Sequence, residues 1–406
     1  MAAAEFDFER LISPYTADQF FSEYWEAKPL IISGRGPDYY SNLLSGSDVD
    51  YVLSTSFLHD RSHVELLGKI DNPDLLGKDH VSAAYEAFRQ GASFRILGVN
   101  RHWKALWLLC RNIVEEFAFS VNANLYCTPK NSRGLNRHYD RHDTLILQIA
   151  GSKHWAVYSS PENLPLEHVP LLGFEKAGES MRYRGAPVVH DLVERTTGEK
   201  PINEFVMDPG DFLYLPRGFV HEARTTEDIS VHVTIGIHVL TWLDLIAVSL
   251  GQFGHKDPRF RKALPVGFNK RTASASIKEN FNALLETLLQ NADVSSAFEE
   301  IDSSLIWNQQ AIGEGSVIES EAAELTTDTS VERRPGLLSR LVVDGDFVRL
   351  VAAHSDVSLP GNFELALRFI SENKRFRVGA IPGRLSDHSK INLVHRLIKN
   401  GFLRVA

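Results

Sequence analysis

Between residues 120 and 240 the chain breaks into short apolar or alternating runs separated by turn signals: NANLYCT, DTLILQIA, KHWAVYS, DFLYLP, FVHEA and ISVHVTIGIHV. Closely spaced strands of this kind can bury a face only by stacking into an antiparallel sandwich or barrel. The flanks read differently. ADQFFSEYWEAKPLIIS (Ala17 to Ser33) reads as a helix followed by a strand, and ALWLLCRNIVEEFAF (Ala105 to Phe119) carries apolar residues at helical spacing, as a helix packed outside a sheet would. After Thr241, TWLDLIAVSLGQF and FNALLETLLQ turn helical again, and the polar stretch 313–335 reads as a linker. In the tail, NFELALRFISE and DHSKINLVHRLIKNG are expected to be helices, and FRVGAIPG and GFLRVA strands. The expected domains are 1–240, with its β core at 120–240, then a helical region and linker at 241–330, then a C-terminal unit at 331–406.

Composition narrows the function by exclusion. A net charge of -9 argues against uniform coating of nucleic acid or anionic membrane. Residues 331–406 run the other way, with 13 Lys+Arg against 7 Asp+Glu. That tail reads either as a nucleic-acid contact or as a solvated stabilising module. The two cysteines, Cys110 and Cys127, exclude a disulfide framework and a Cys-based zinc site. The N-terminal stretch lacks the basic and apolar regions of a signal peptide, and no apolar run approaches the roughly 18 residues that span a bilayer. A cytoplasmic location and no membrane partner are therefore expected.

The chemistry is concentrated in NRHYDRHDTLILQIAGSKHWAVY (Asn136 to Tyr158). On a strand, His138 and Asp140 share a face with Cα atoms about 6.6 Å apart, close enough to reach one metal ion. A second histidine would complete a 2-His-1-carboxylate triad with three open coordination positions, the arrangement of non-haem iron(II) oxygenases. His142 lies about 13 Å along a strand from His138, too far for both to bind one ion. His154 has the wrong parity and His190 sits in a loop-like stretch. GDFLYLPRGFVHEA offers His221, just beyond the Pro216-Arg217-Gly218 turn, as the third ligand, with His232 the lesser alternative. Gly151-Ser152 reads as a two-residue hairpin pairing Ala150 with Lys153 and Gln148 with Trp155. That pairing puts Lys153 on the metal side, where a buried ammonium needs an anion such as the distal carboxylate of 2-oxoglutarate. The alternative is an ordinary exposed hairpin lysine. Asn124 and Tyr126 share a face of NANLYCT, and Thr234 shares the polar face of its strand with Ser230 and His232. His232 is read as a buried, hydrogen-bonded histidine, His142 as substrate-facing or solvated, and Trp155 and Tyr214 as packing residues.

HYD, the LILQ strand, GSKHW and GDFLYLPRGFVHEA together resemble the ribosomal oxygenases, the JmjC branch of the cupin-fold 2-oxoglutarate oxygenases. The resemblance implies an α+β fold with a double-stranded β-helix (jelly-roll) core, a helical dimerisation region and a C-terminal winged-helix-like domain. It implies Fe(II), with 2-oxoglutarate and O₂ as co-substrates, and metal-ligand roles for His138, Asp140 and His221. It implies Lys153 as carboxylate anchor, with Asn124, Tyr126 and Thr234 lining the 2-oxoglutarate pocket. The activity it implies is hydroxylation of an arginine or histidine side chain of a ribosomal protein by a homodimer. Arg137 and Arg141 bracketing HYD, with His142 after it, depart from the family's more apolar or acidic pattern and leave the substrate open. Two rivals stand beside this reading: an oxygenase of a biosynthetic peptide or small molecule, and a non-enzymatic, metabolite-sensing regulator that binds nucleic acid.

Overall fold

Alternation along the strands decides what each side of the first unit becomes. The computed structural model describes residues 6–68, 81–167, 174–177, 180–183, 193–194, 196–266, 275–307, 324–353 and 355–406. It divides into two units, Met1–Val239 and Leu240–Ala406. In the first unit, helices α1 (Phe8–Ile12), α2 (Ala17–Glu23), α3 (Val49–His59), α4 (Val81–Arg89) and α5 (Lys104–Phe117) interleave with strands β1 (Leu30–Ile32), β2 (Val64–Leu67) and β3 (Ser93–Ile96). There follow β4 (Ser120–Thr128), β5 (Asp143–Gly151), β6 (Lys153–Val157), β7 (Phe174–Ala177), β8 (Ser180–Tyr183), β9 (Asn203–Met207), β10 (Phe212–Leu215), β11 (His221–Arg224) and β12 (Ser230–His238). Seven strands pair in the order β1-β10-β5-β12-β4-β3-β2, three in the order β11-β6-β9, and β7 and β8 form a ribbon.

One face of the large sheet is apolar. Leu125, Leu145, Leu147, Val233 and Ile235 are fully buried in one cluster with Phe8, Phe20, Leu106 and Ile113 of the helices. Each such side chain contributes about 1.5–3 kcal/mol by leaving water. With a side-chain period of two, the intervening positions Tyr126, Ile146, His232 and Thr234 point the other way, toward Lys153 and Trp155 of the small sheet. The apolar face thus fixes the register that turns the polar positions inward. At the entry to α2, a capping box fixes the helix start: Thr16 Oγ1 accepts from Gln19 N at 3.2 Å, and Gln19 Oε1 accepts from Thr16 N at 3.0 Å.

The expected hairpin at Gly151-Ser152 does not form. β5 and β6 belong to different sheets: Ala150 pairs with Val231, and Trp155 pairs with Ala223 and Phe205. Gly151 (φ +59°) is instead the corner at which the chain leaves one sheet for the other, and a Cβ there would fall on the Ile229 carbonyl. A tight hairpin and a sheet-switching corner both call for a glycine with positive φ, so local sequence does not distinguish them.

In the second unit, α6 (Trp242–Lys256), α7 (Ala275–Asn291) and α8 (Val294–Trp307) are followed by β13 (Ser330–Arg333), the meander β14 (Ser339–Asp344), β15 (Phe347–Ala352) and β16 (Ser355–Pro360), α9 (Glu364–Glu372), β17 (Arg375–Arg377), α10 (Asp387–Lys399) and β18 (Leu403–Val405). β13 lies between β17 and β18, so the end of the polar 313–335 stretch is a strand rather than linker. Residues 313–323 of that stretch lie outside the described residues. Val348, Leu350, Val357, Leu367, Val394 and Leu403 form the core of this unit. Among the described residues, no helix is long and apolar enough to cross a membrane.

Candidate metal centre

The two histidines of the triad face each other because their backbones pair. His138 N donates to His221 O at 3.1 Å and His221 N donates to His138 O at 2.7 Å. His138 and Asp140 do not lie on a regular strand as expected; β5 begins only at Asp143, and His138 is held by this isolated bridge. One metal-capable atom from each of His138, Asp140 and His221 lies within 4.8 Å of the others. The imidazole centroids are 4.4 Å apart, and His221 Nε2 is 3.8 Å from Asp140 Oδ2.

Both rings are oriented the same way. His138 Nδ1 lies 2.7 Å from Asn136 O, and His221 Nδ1 lies 3.0 Å from Phe219 O. A carbonyl can only accept, so each Nδ1 carries the proton and each Nε2 keeps a lone pair. Burial, then the neighbouring His138, pushes His221 down to about 4, so it is neutral at physiological pH. For Asp140, burial acts upward, but His142, His138, His221 and Arg95 outweigh it and hold the carboxyl below its ordinary range. Two imidazoles and one carboxylate on one side of a space form a donor set that a divalent transition metal fits.

The turn before His221 is pinned from below. Gly218 N donates to the Asp140 carbonyl at 2.9 Å. Arg217, nearly fully buried, donates through Nη1 to Asp143 Oδ2 at 2.8 Å and to Glu26 Oε1 at 2.6 Å. Tyr214 Oη donates to the other Asp143 oxygen at 2.7 Å. Tyr214, expected as packing, also belongs to this polar clamp. Gly218 has φ +91°, and a Cβ would lie 2.6 Å from Ser160 Oγ and 2.8 Å from Glu162 O. Gly218→Ala is therefore expected to cost about 1–3 kcal/mol through backbone strain and overpacking, read as a lower Tm. An unchanged Tm would show that residues 160–162 move aside freely.

The cavity beside the triad is lined by Tyr126, Ile146, Lys153, Trp155, His232 and Thr234, among others. Lys153 is 4% exposed, so it is not a surface hairpin lysine. Its Nζ donates to Thr128 Oγ1 at 3.0 Å, and no carboxylate pairs with it among the described residues. Burial pushes its pKa down to about 8. Along β6, Lys153 and Trp155 point inward, while His154 points away and meets Glu204 at 3.1 Å. Asn124 is not among the lining residues; its Oδ1 accepts from Gly98 N at 3.0 Å. His190 lies outside the described residues.

Three further residues lie near the site, of which Arg95 alone is not indicated by the sequence pattern. Trp155 packs, but its ring also lies 5.9 Å from that of His221. His232 stacks on Tyr126 at 4.9 Å and 4°, and its buried Nδ1 has no hydrogen-bond partner among the described residues, contrary to the expected satisfied histidine. Burial, then Lys153, keeps His232 far below its ordinary range and hence neutral. Arg95, on β3, lies over the Tyr126 ring, pairs with Glu65 and contributes to holding Asp140 ionised. The parity of Trp155 and His232 was readable in sequence; the pairing of β3 with β4 that brings in Arg95 was not.

Residues 99–245 match the JmjC domain family, so the first unit carries a JmjC-type double-stranded β-helix. The chain is 27% identical over 380 residues to Ribosomal oxygenase 1 of Rattus norvegicus, covering 83% of this chain and 60% of that protein. It is 32% identical over 314 residues to Ribosomal oxygenase 2 of Mus musculus, covering 73% and 62%. It is 29% identical over 275 residues to the bifunctional lysine-specific demethylase and histidyl-hydroxylase NO66 of Aedes aegypti, covering 65% and 40%. The chain thus spans 40–62% of the length of these relatives. A solved structure of the Escherichia coli ribosomal oxygenase YcfD has the same fold, with TM-score 0.53 at 15% identity over 97% of this chain and 98% of that one. Residues 99–245 thus carry a JmjC domain, and the chain as a whole is similar to the ribosomal oxygenases.

Proposed function

We propose that this protein is an Fe(II)- and 2-oxoglutarate-dependent oxygenase that hydroxylates a protein side chain. The observation that carries the reading is the convergence of His138, Asp140 and His221 beside a buried lysine that has no carboxylate partner among the described residues. Ferrous iron with 2-oxoglutarate and O₂ supplies oxidative decarboxylation, to succinate and CO₂, coupled to insertion of one oxygen atom into a C–H bond. In this reading His138, Asp140 and His221 hold the metal on one side and leave the other open. Lys153 binds the distal carboxylate, with Tyr126 and Thr234 as neighbouring walls. Asn124 supports that wall through the Gly98 backbone. Trp155 and Ile146 keep water out. The E. coli relative has been solved in complex with cobalt and 2-oxoglutarate, which supports the same pairing of metal and co-substrate here.

Similarity to ribosomal oxygenases and to a histidyl-hydroxylase supports a ribosomal protein as substrate, and we read the modified residue as an arginine or histidine. The second unit completes the proposal. Trp242 is 81% exposed and Ile246, Phe281 and Phe298 are also exposed, supporting a helical dimer interface on α6, α7 and α8. The C-terminal elements are read as a winged-helix-like domain with a cytoplasmic site of action. Incubation with ferrous iron, 2-oxoglutarate and separated ribosomal proteins should add the mass of one oxygen atom to one of them. Turnover of 2-oxoglutarate with no mass change in any ribosomal protein would move the substrate elsewhere.

Lys153 gives the reading a pH signature. Its unfolded value is near 10.5 and its folded value about 8. The unliganded ammonium is charged below about pH 8 and neutral above it, so 2-oxoglutarate binding should weaken as pH rises through 8. Lys153→Met should weaken binding by roughly 10- to 100-fold, the value of a charge-assisted contact, and flatten the pH dependence. The same substitution should raise the Tm of the ligand-free protein. Burying the charge costs stability in full below about pH 8, and this cost fades as pH rises toward 10.5. A Tm at neutral pH that falls in the Met variant would contradict the assignment.

A further inference from the structure

We infer that His142, Glu167 and His238 form a second divalent-cation site, of zinc type, separate from the first. The three come from different segments: the residue just before β5, the loop that follows β6, and the last residue of β12. Their metal-capable atoms lie within 4.8 Å of one another, and the set shares no residue with the His138, Asp140 and His221 set. All three side chains are half-buried, so an ion from solvent reaches them. The His142 and His238 ring centroids are 5.0 Å apart. Two imidazoles and one carboxylate make a borderline donor set that suits zinc, with a fourth position left for water or a substrate donor.

The hydrogen bonding of His238 indicates which of its nitrogens an ion would use. Its Nδ1 lies 2.7 Å from Glu167 Oε1, and its Nε2 lies 3.0 Å from Asn122 Oδ1. Both nitrogens face oxygen atoms, yet a neutral imidazole has one proton to donate. With Nε2–H donated to Asn122, Nδ1 is the nitrogen that would turn to an ion, its present 2.7 Å contact with Glu167 opening as the two atoms became ligands of one metal. Asn122 then orients His238 as the Asn136 and Phe219 carbonyls orient His138 and His221. Asn122 lies on β4, directly across from Gly236 of β12, so the orienting group is fixed by strand register.

The test is a zinc chloride titration of the full chain after metal is removed with a chelator, with folding of each variant checked by circular dichroism. Wild type should bind two equivalents. Glu167→Gln should bind one, Asp140→Ala should bind one, and the double variant none. Asn122→Ala should weaken one equivalent about tenfold or more and leave the other unchanged. Titration with cobalt chloride gives an independent reading, since Glu167→Gln should remove one of two sets of visible absorption bands. One equivalent in wild type, or two equivalents that both survive Glu167→Gln, would overturn the second site. Two equivalents surviving Asp140→Ala would instead sink the first-site reading and leave this one standing.

Discussion

Asp140→Ala should abolish 2-oxoglutarate turnover, by on the order of 10³-fold or more, while leaving the fold intact. The loss follows from removing the one anionic donor of the His138, Asp140 and His221 set, which forfeits several kcal/mol of metal-supplied stabilisation. The fold should survive because the structural contact of residue 140 is made by its backbone carbonyl, which accepts from Gly218 N at 2.9 Å and is untouched by the substitution. A folded Asp140→Ala protein with ordinary turnover would remove the carboxylate from the mechanism.

Arg217→Ala should act in the opposite sense, costing stability before it costs chemistry. The guanidinium is buried and bridges Asp143 and Glu26, and Asp143 is itself fully buried. Removing one partner of a buried ion pair typically costs about 3–5 kcal/mol, because the other charge is left uncompensated. Tyr214 still donates to Asp143 Oδ1, so the loss should sit at the lower end of that range. Chemical denaturation should show the midpoint shift. A shift under about 0.5 kcal/mol, the size expected of a surface pair, would mean the clamp is not what holds the turn before His221.

Much of the site is legible in sequence because strand alternation is a local property. Leu145 and Leu147 alternate with Ile146 and Gln148, and the apolar set announces which side is left for polar groups. The same alternation separates Lys153 and Trp155 from His154. What sequence did not reveal is which strands are neighbours. The Gly151 corner resembles a hairpin because both need the same backbone conformation, so Lys153 points inward for a reason other than the expected pairing with Ala150. Arg95 and Glu167 reach the region from β3 and from a loop, at separations no local pattern encodes. Asn124 shows the limit of parity. It lies on the same strand face as Tyr126, yet its side chain is committed to Gly98 N.

The central claim is that three side chains hold one metal and leave room for a bidentate 2-oxo acid. It is tested most directly by adding 2-oxoglutarate anaerobically to the protein loaded with ferrous iron and recording the visible charge-transfer absorption that chelation of the metal produces. Wild type should develop this absorption with a stoichiometry of one. Asp140→Ala should not develop it, and Lys153→Met should need a much higher 2-oxoglutarate concentration. Wild-type protein that binds 2-oxoglutarate equally well with and without ferrous iron, and shows no such absorption, would contradict the account.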